Sequence, residues 1–175
     1  MTRPGPDEHG AFYNDYVGLV VGDDVFAALR SGMAEMLGIL AGLSDDQAVA
    51  LHPPYTWSIK EVVGHLIDCE RIMGYRALRI ARGDATPLPG FEESDYVRAS
   101  GSSARALADL IEEYELVRRS TLALLASLPE EAWDRRGTAN HSPVSVRALA
   151  FIVAGHERHH ALILRKRLAS ATASG

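Results

Sequence analysis

One cysteine, Cys69, stands in the 175 residues, so no intramolecular disulfide can brace the fold, and a reducing compartment is the expectation. No stretch approaches the ~20 uninterrupted apolar residues that a membrane-spanning helix needs. The first ten residues lack a basic start followed by an apolar run, so no signal peptide is expected and the protein is read as cytoplasmic. Basic charge is also short: the formal net charge is −5, which argues against a partner bound through its phosphate backbone. Strand-like alternation, internal repeats and low-complexity tracts are missing too, apart from a short Ala/Ser/Thr-rich end. Hydrophobic residues make up 47% of the chain, enough for a single domain with a real core.

Helical periodicity fills the space these absences leave. Residues 1–10 hold Pro4, Gly5, Pro6 and Gly10 and read as a loose tail. An aromatic-rich segment over 11–21 predicts a short helix or turn. Gly22-Asp23-Asp24 then stops and caps the chain before a helix with Val25, Phe26, Leu29, Met33, Met36, Leu37 and Leu40 on one face. Ser44-Asp45-Asp46-Gln47 reads as a capping box over a brief turn, and Pro53-Pro54 ends it. Ser58-Ile59-Lys60-Glu61 is a stronger one, opening a helix expected to run to about Arg82 and to stop at Gly83-Asp84.

Thr86 to Gly101, with two prolines and two glycines, predicts a loop long enough to be functional. A third long helix is expected over about Ser103–Ser127, a turn at Pro129–Trp133, and a loop at Gly137–Pro143. Ser145 caps the last helix, expected to end near Ala169. Arg165-Lys166-Arg167 then falls in its last turn and complements the helix dipole. The expectation is an all-α four-helix bundle with extra short helices and a long connection, spanning residues 11–169, with a second flexible tail at 170–175.

Of seven histidines, His9, His52 and His141 fall in tail or loop positions and read as solvated. His156 and His160 are four apart on the apolar stripe of the last helix, which places both rings on one face. Two buried imidazoles at chelating spacing are hard to satisfy by hydrogen bonds alone. With His65 on the inward edge of an earlier helix they make a three-histidine divalent-metal site with a vacancy for water or substrate. Zinc, nickel and other first-row ions all accept such a donor set. His159 competes with His160, and the four-residue spacing favours His160. Asp68 and Glu157 are the candidates for orienting imidazole rings or for taking a proton. Cys69, one turn from His65, could reach the metal and is read instead as a buried structural thiol. His156-Glu157-Arg158-His159-His160 formally matches H-E-x-x-H, but the segment beyond His160 holds no further ligand, so a peptidase is not expected.

Trp57-Ser58-Ile59-Lys60-Glu61-Val62-Val63-Gly64-His65-Leu66-Ile67-Asp68-Cys69-Glu70-Arg71 resembles the second-helix signature of the DinB-like (YfiT-type) superfamily. Pro143-Val144-Ser145-Val146-Arg147, followed by Gly155-His156-Glu157-Arg158-His159-His160, is similar to its last-helix segment. Arg76 to Asp84 and Pro87 to Phe91 are similar to a subgroup. The resemblance implies a four-helix bundle with a metal on His65, His156 and His160. It also implies activity as a transferase or isomerase using a low-molecular-weight thiol such as bacillithiol or mycothiol, and a homodimer. On that reading Arg71, Arg76, Arg79 and Arg82 would make the pocket electropositive, unless they are simply solvated surface. The alternatives are a non-catalytic, stress-related metal-binding bundle and a metal-dependent hydrolase. In each case the partner is a small molecule rather than nucleic acid or membrane.

Overall fold

A computed structural model describes residues 2–173. Seven α-helices follow in order: α1 (Asn14–Leu19), α2 (Val25–Leu40), α3 (Asp45–Val49), α4 (Ile59–Ala81), α5 (Glu93–Ser100), α6 (Leu107–Ala126) and α7 (Val146–Ala173). Two short strands, β1 (Arg136–Ala139) and β2 (Ser142–Ser145), form an antiparallel hairpin before α7.

The helices begin where side chains satisfy their free amides. Asp24 caps α2 by accepting from the Ala27 amide at 3.0 Å. Both expected capping boxes form, Ser44 with Gln47 on α3 and Ser58 with Glu61 on α4. Ser145 accepts from the Ala148 amide at 2.9 Å and so opens α7. At the start of α6 no local side chain caps. Asp45 reaches across from α3 instead and accepts from the Leu107 amide at 2.8 Å. α4 stops at Gly83, which takes the left-handed conformation (φ 80°) that a side chain would resist.

α2, α4, α6 and α7 form the bundle, with α2 packed on α6 and α7, and α4 packed on the same two. Helices consecutive among these four are therefore not all neighbours, because the α3 segment and the hairpin carry the chain across the bundle. The order places α4 beside α7, which joins His65 to His156 and His160.

Two apolar clusters fill the interior. One includes Leu29, Met73, Ile80, Leu125, Leu149 and Phe151, and the other Met36, Ile59, Val63, Leu66, Leu110 and Leu164. Between them, at the middle of each long helix, lies a polar layer of His65, Glu70, Arg118, His156, Glu157 and His160, all buried. The backbone at Gly32 makes room for this layer, since a Cβ there would stand 2.0 Å from Glu157 Oε2.

Several expectations are corrected. The stretch 86–101 contains α5, which packs on α4 and buries Val97. The 137–143 loop is the hairpin, turned at Asn140 and His141 with φ of 49° and 60°, the pair of positive values that a tight two-residue turn requires. Residues 1–10 are tied down rather than loose: Pro6–Glu8 form a 3-10 turn, Arg147 holds the buried Glu8 carboxylate at 2.9 and 3.0 Å, and Arg136 holds Asp7 at 2.9 Å. His9 is buried with them. α7 continues through Ala173, past the expected end at Ala169, and residues 174–175 of the expected C-terminal tail lie outside the described residues. Arg165 and Arg167 are consequently not in a last turn. Arg165 pairs with Glu35 and Arg167 is buried.

Candidate metal centre

His65 projects from α4, and His156 and His160 from α7 one turn apart. His65 Nε2 lies 3.0 Å from His156 Nε2, and His160 Nε2 lies 3.1 Å from the same atom. All three residues are buried. Burial is the leading reason that each imidazole resists protonation: His65 is pushed down to about 4, His160 to about 3, and His156 well below the usual histidine range. They are therefore neutral near pH 7, with lone pairs free to bind.

Hydrogen bonding among the rings cannot satisfy them. A neutral imidazole nitrogen carries either one proton or one lone pair, yet His156 Nε2 faces two nitrogens at hydrogen-bond distance. His160 Nδ1 is also buried without a partner. A cation suits this convergence better than a proton does. With metal–nitrogen bonds of about 2.0–2.1 Å, two nitrogens lie roughly 2.9 Å apart at a right angle and roughly 3.3 Å apart at the tetrahedral angle. The two observed separations fall between these values, so His156 is placed to share an ion with His65 on one side and with His160 on the other.

Cys69 is buried, as its reading as a structural thiol implied, and it also lies within reach of the site. Its Sγ is 3.5 Å from His65 Nδ1 and 3.8 Å from His65 Nε2, and it forms a compact donor group with His65 and His156. Burial pushes the thiol up, reinforced by Glu93 and Asp68, which keeps it protonated unless a cation reverses the balance. The four-residue step from His65 to Cys69 along α4 was the available signal. His159 does not converge with the trio: it is half-buried and meets the Tyr16 ring edge-on at 5.3 Å.

The two candidate acids differ in their surroundings. Glu157 is held by Arg118, its Oε2 accepting from Arg118 Nη1 at 2.8 Å, while Oε1 has no partner among the described residues. Burial raises its carboxyl well above the usual range. Arg118 also donates to both Glu70 oxygens at 2.8 Å and to the Leu29 carbonyl at 2.7 Å, so it links α6 to α4, α7 and α2. Asp68 is half-buried, with Arg71 and Glu113 as its charged neighbours. The four arginines do not assemble into an electropositive pocket. Arg71 pairs with Glu113, Arg79 with Asp84, and Arg82 is exposed at the helix end. Arg76 is buried against the Pro89 carbonyl and the Phe91 ring.

Two openings flank the trio. A small cavity of about 20 Å³, room for about one water, is lined by Tyr13, Tyr16, Cys69, Glu93, His156 and Glu157 among others. On the other side a cleft of about 330 Å³ reaches His160 between Tyr55, Trp57, Ile163 and Arg167. The Trp57 ring covers His65 at 5.0 Å.

A helical bundle with a buried three-histidine cluster facing a cleft defines the class. Residues 28–164 match the family model of the DinB superfamily, and the chain belongs to that superfamily. Over 151 residues it is 26% identical to a Geobacillus kaustophilus protein named as a candidate metal-dependent hydrolase, with 81% of this chain and 82% of that one covered. The fold matches that of Bacillus subtilis YfiT, described as a probable metal-dependent hydrolase with an unusual four-helix bundle topology. The TM-score is 0.71 at 14% identity, over 97% of this chain and 94% of the other. It also matches a mycothiol-dependent maleylpyruvate isomerase, with a TM-score of 0.70 at 12% identity. That match covers 81% of this chain and 59% of the isomerase. Among the described residues no helix is long and apolar enough to cross a membrane.

Proposed function

We propose that this protein is a metal-dependent enzyme that transfers a low-molecular-weight thiol to an electrophilic small molecule. His65, His156 and His160 hold a divalent first-row cation. The carrying observation is the placing of the buried, neutral His65 and His160 imidazoles 3.0 and 3.1 Å from His156 Nε2, beside a cleft that opens at His160. A divalent cation in that place lowers the pKa of a thiol that reaches its open position. A thiol acidified in this way needs no general base. That agrees with the engagement of the neighbouring Glu157 by Arg118. Trp57 and Tyr16 wall the imidazoles from bulk water and hold the rings in place. In the same reading the enzyme is a cytoplasmic homodimer whose partners are small molecules.

A metal-dependent hydrolase is the second reading, favoured by one observation. The water-sized cavity touches both His156 and Glu157, and the unpartnered Glu157 Oε1 is available to take a proton from a water there.

Metal content by mass spectrometry, on protein prepared without an affinity tag or chelator, tests the ligand set. About one equivalent is expected in the wild type and His159→Ala, and a loss in His65→Ala, His156→Ala and His160→Ala. The zinc-loaded protein is then given cysteine or glutathione with monobromobimane, and separately p-nitrophenyl acetate without thiol. Acceleration of the first alone supports thiol transfer, and of the second alone hydrolysis. Retained metal with neither activity would leave a non-catalytic metal-binding bundle.

A further inference from the structure

Arg167 is 2% exposed and has no carboxylate partner among the described residues. Of the other buried arginines, Arg118 carries Glu70 and Glu157, whereas Arg76, like Arg167, meets a backbone carbonyl and an aromatic ring and lines no comparable cleft. Arg167 donates from Nη2 to the Trp57 carbonyl at 2.8 Å and to His52 Nδ1 at 3.3 Å, and Tyr55 stacks with its ring centre 5.0 Å from the guanidinium carbon. Its Nε has no hydrogen-bond partner among the described residues. An unpaired, buried guanidinium is an unfavourable element in a folded protein unless it meets an anion. The side chain lines the cleft of about 330 Å³ whose remaining walls include Pro54, Tyr55, Trp57, Val62 and Ile163.

Arg167 and His160 lie two turns apart on α7, which sets them about 10 Å apart along the helix axis. The cleft thus offers an anion-binding end, an apolar middle and His160 at the other end. We propose that Arg167 is the anion-recognising residue of this cleft, which takes a small molecule with an apolar body and a terminal carboxylate. The orientation of that molecule, with its far end toward His160, rests on the metal-dependent reading above. Planar guanidinium against carboxylate is the pairing that this residue type makes best.

Anion recognition is tested on metal-free protein in chelator, with hexanoate and hexan-1-ol as probes and tryptophan fluorescence as the readout. Trp57 lines the cleft, whereas Trp133 sits in the far apolar cluster and serves as a constant background. Hexanoate is expected to bind about tenfold tighter than hexan-1-ol in the wild type. Arg167→Gln should abolish that preference while leaving the alcohol within about twofold, and Arg167→Lys should keep part of it. Equal affinities in the wild type, binding of neither probe, or a preference that survives Arg167→Gln would each overturn the assignment. The wild-type comparison needs no variant to fold. Zinc-loaded protein with 6-mercaptohexanoate then tests the orientation: tighter binding than hexanoate, lost in His160→Ala, is expected. A missing metal would cancel only this second step, so the two readings fail separately.

Discussion

Lowering the pH of the metal-free protein from 7.5 to 5.5 should destabilise it in a way that can be traced to His65. The imidazole is held neutral by burial, with its pKa down to about 4 against an ordinary 6.5. A depressed histidine contributes stability that is fully present above the unfolded value and is lost as pH falls toward the folded one. At pH 5.5 the unfolded chain has bound about 0.9 proton at this position and the folded chain almost none, so unfolding gains about 1.4 kcal/mol from this group alone. That is a visible share of a typical 5–15 kcal/mol total. Glu157 works in the opposite sense, because its raised carboxyl binds a proton more readily in the folded state. Comparing the wild type with His65→Leu cancels Glu157 and the other groups that owe none of their shift to His65. Urea unfolding followed by circular dichroism in chelator, at both pH values, supplies the four stabilities required. The wild type should lose about 1.4 kcal/mol more than the variant on acidification. Equal losses in the two proteins, within the fitting error, would refute a neutral buried His65.

Arg118→Met leaves Glu70 and Glu157 buried without their common partner, and urea unfolding at pH 7 should show a loss of about 3–5 kcal/mol. A loss below about 1 kcal/mol would mean that the two carboxylates are not held as described. Gly155→Ala places a Cβ 1.8 Å from the Tyr16 carbonyl oxygen, a backbone atom that cannot rotate away. The variant should be less stable by about 1–3 kcal/mol, with Tyr16 displaced from His156. An unchanged melting curve and unchanged ring-current shifts at His156 would contradict that contact.

Helix starts were largely legible from side chains that act locally. The Ser44–Gln47 and Ser58–Glu61 boxes and the Ser145 cap each form as their spacing suggests, because donor and acceptor lie within one turn. The trio was legible for the same reason on α7, and His65 could be added from its place on the α4 face. Features that depend on distant partners left no local trace. Pro4, Gly5 and Pro6 look like a tail, yet Glu8 and Asp7 are fixed by Arg147 and Arg136 from far along the chain. Glu157 reads as a ring-orienting acid or an ordinary surface charge until Arg118 is placed opposite on α6. α5 was missed because Val97 is its only buried residue, too little to mark a helical face. The hairpin was missed because its strands are four residues each and its turn depends on backbone angles at Asn140 and His141.

The Arg118 clamp bears on how the histidines come to be assembled. It grips α4 through Glu70 and α7 through Glu157, five residues after His65 and one after His156. The two helices are thereby set in relation to each other by atoms that take no part in the imidazole cluster. An ion arriving there would meet ligands already gathered, so the entropy of collecting them belongs to folding rather than to capture. Small folds that are unstructured without zinc work the other way round, with the metal supplying the organisation. In this bundle the interior should stay ordered when the ion leaves, so exchange of one metal for another becomes a matter of coordination preference and supply, with the chain serving as a mould that holds its shape between occupants.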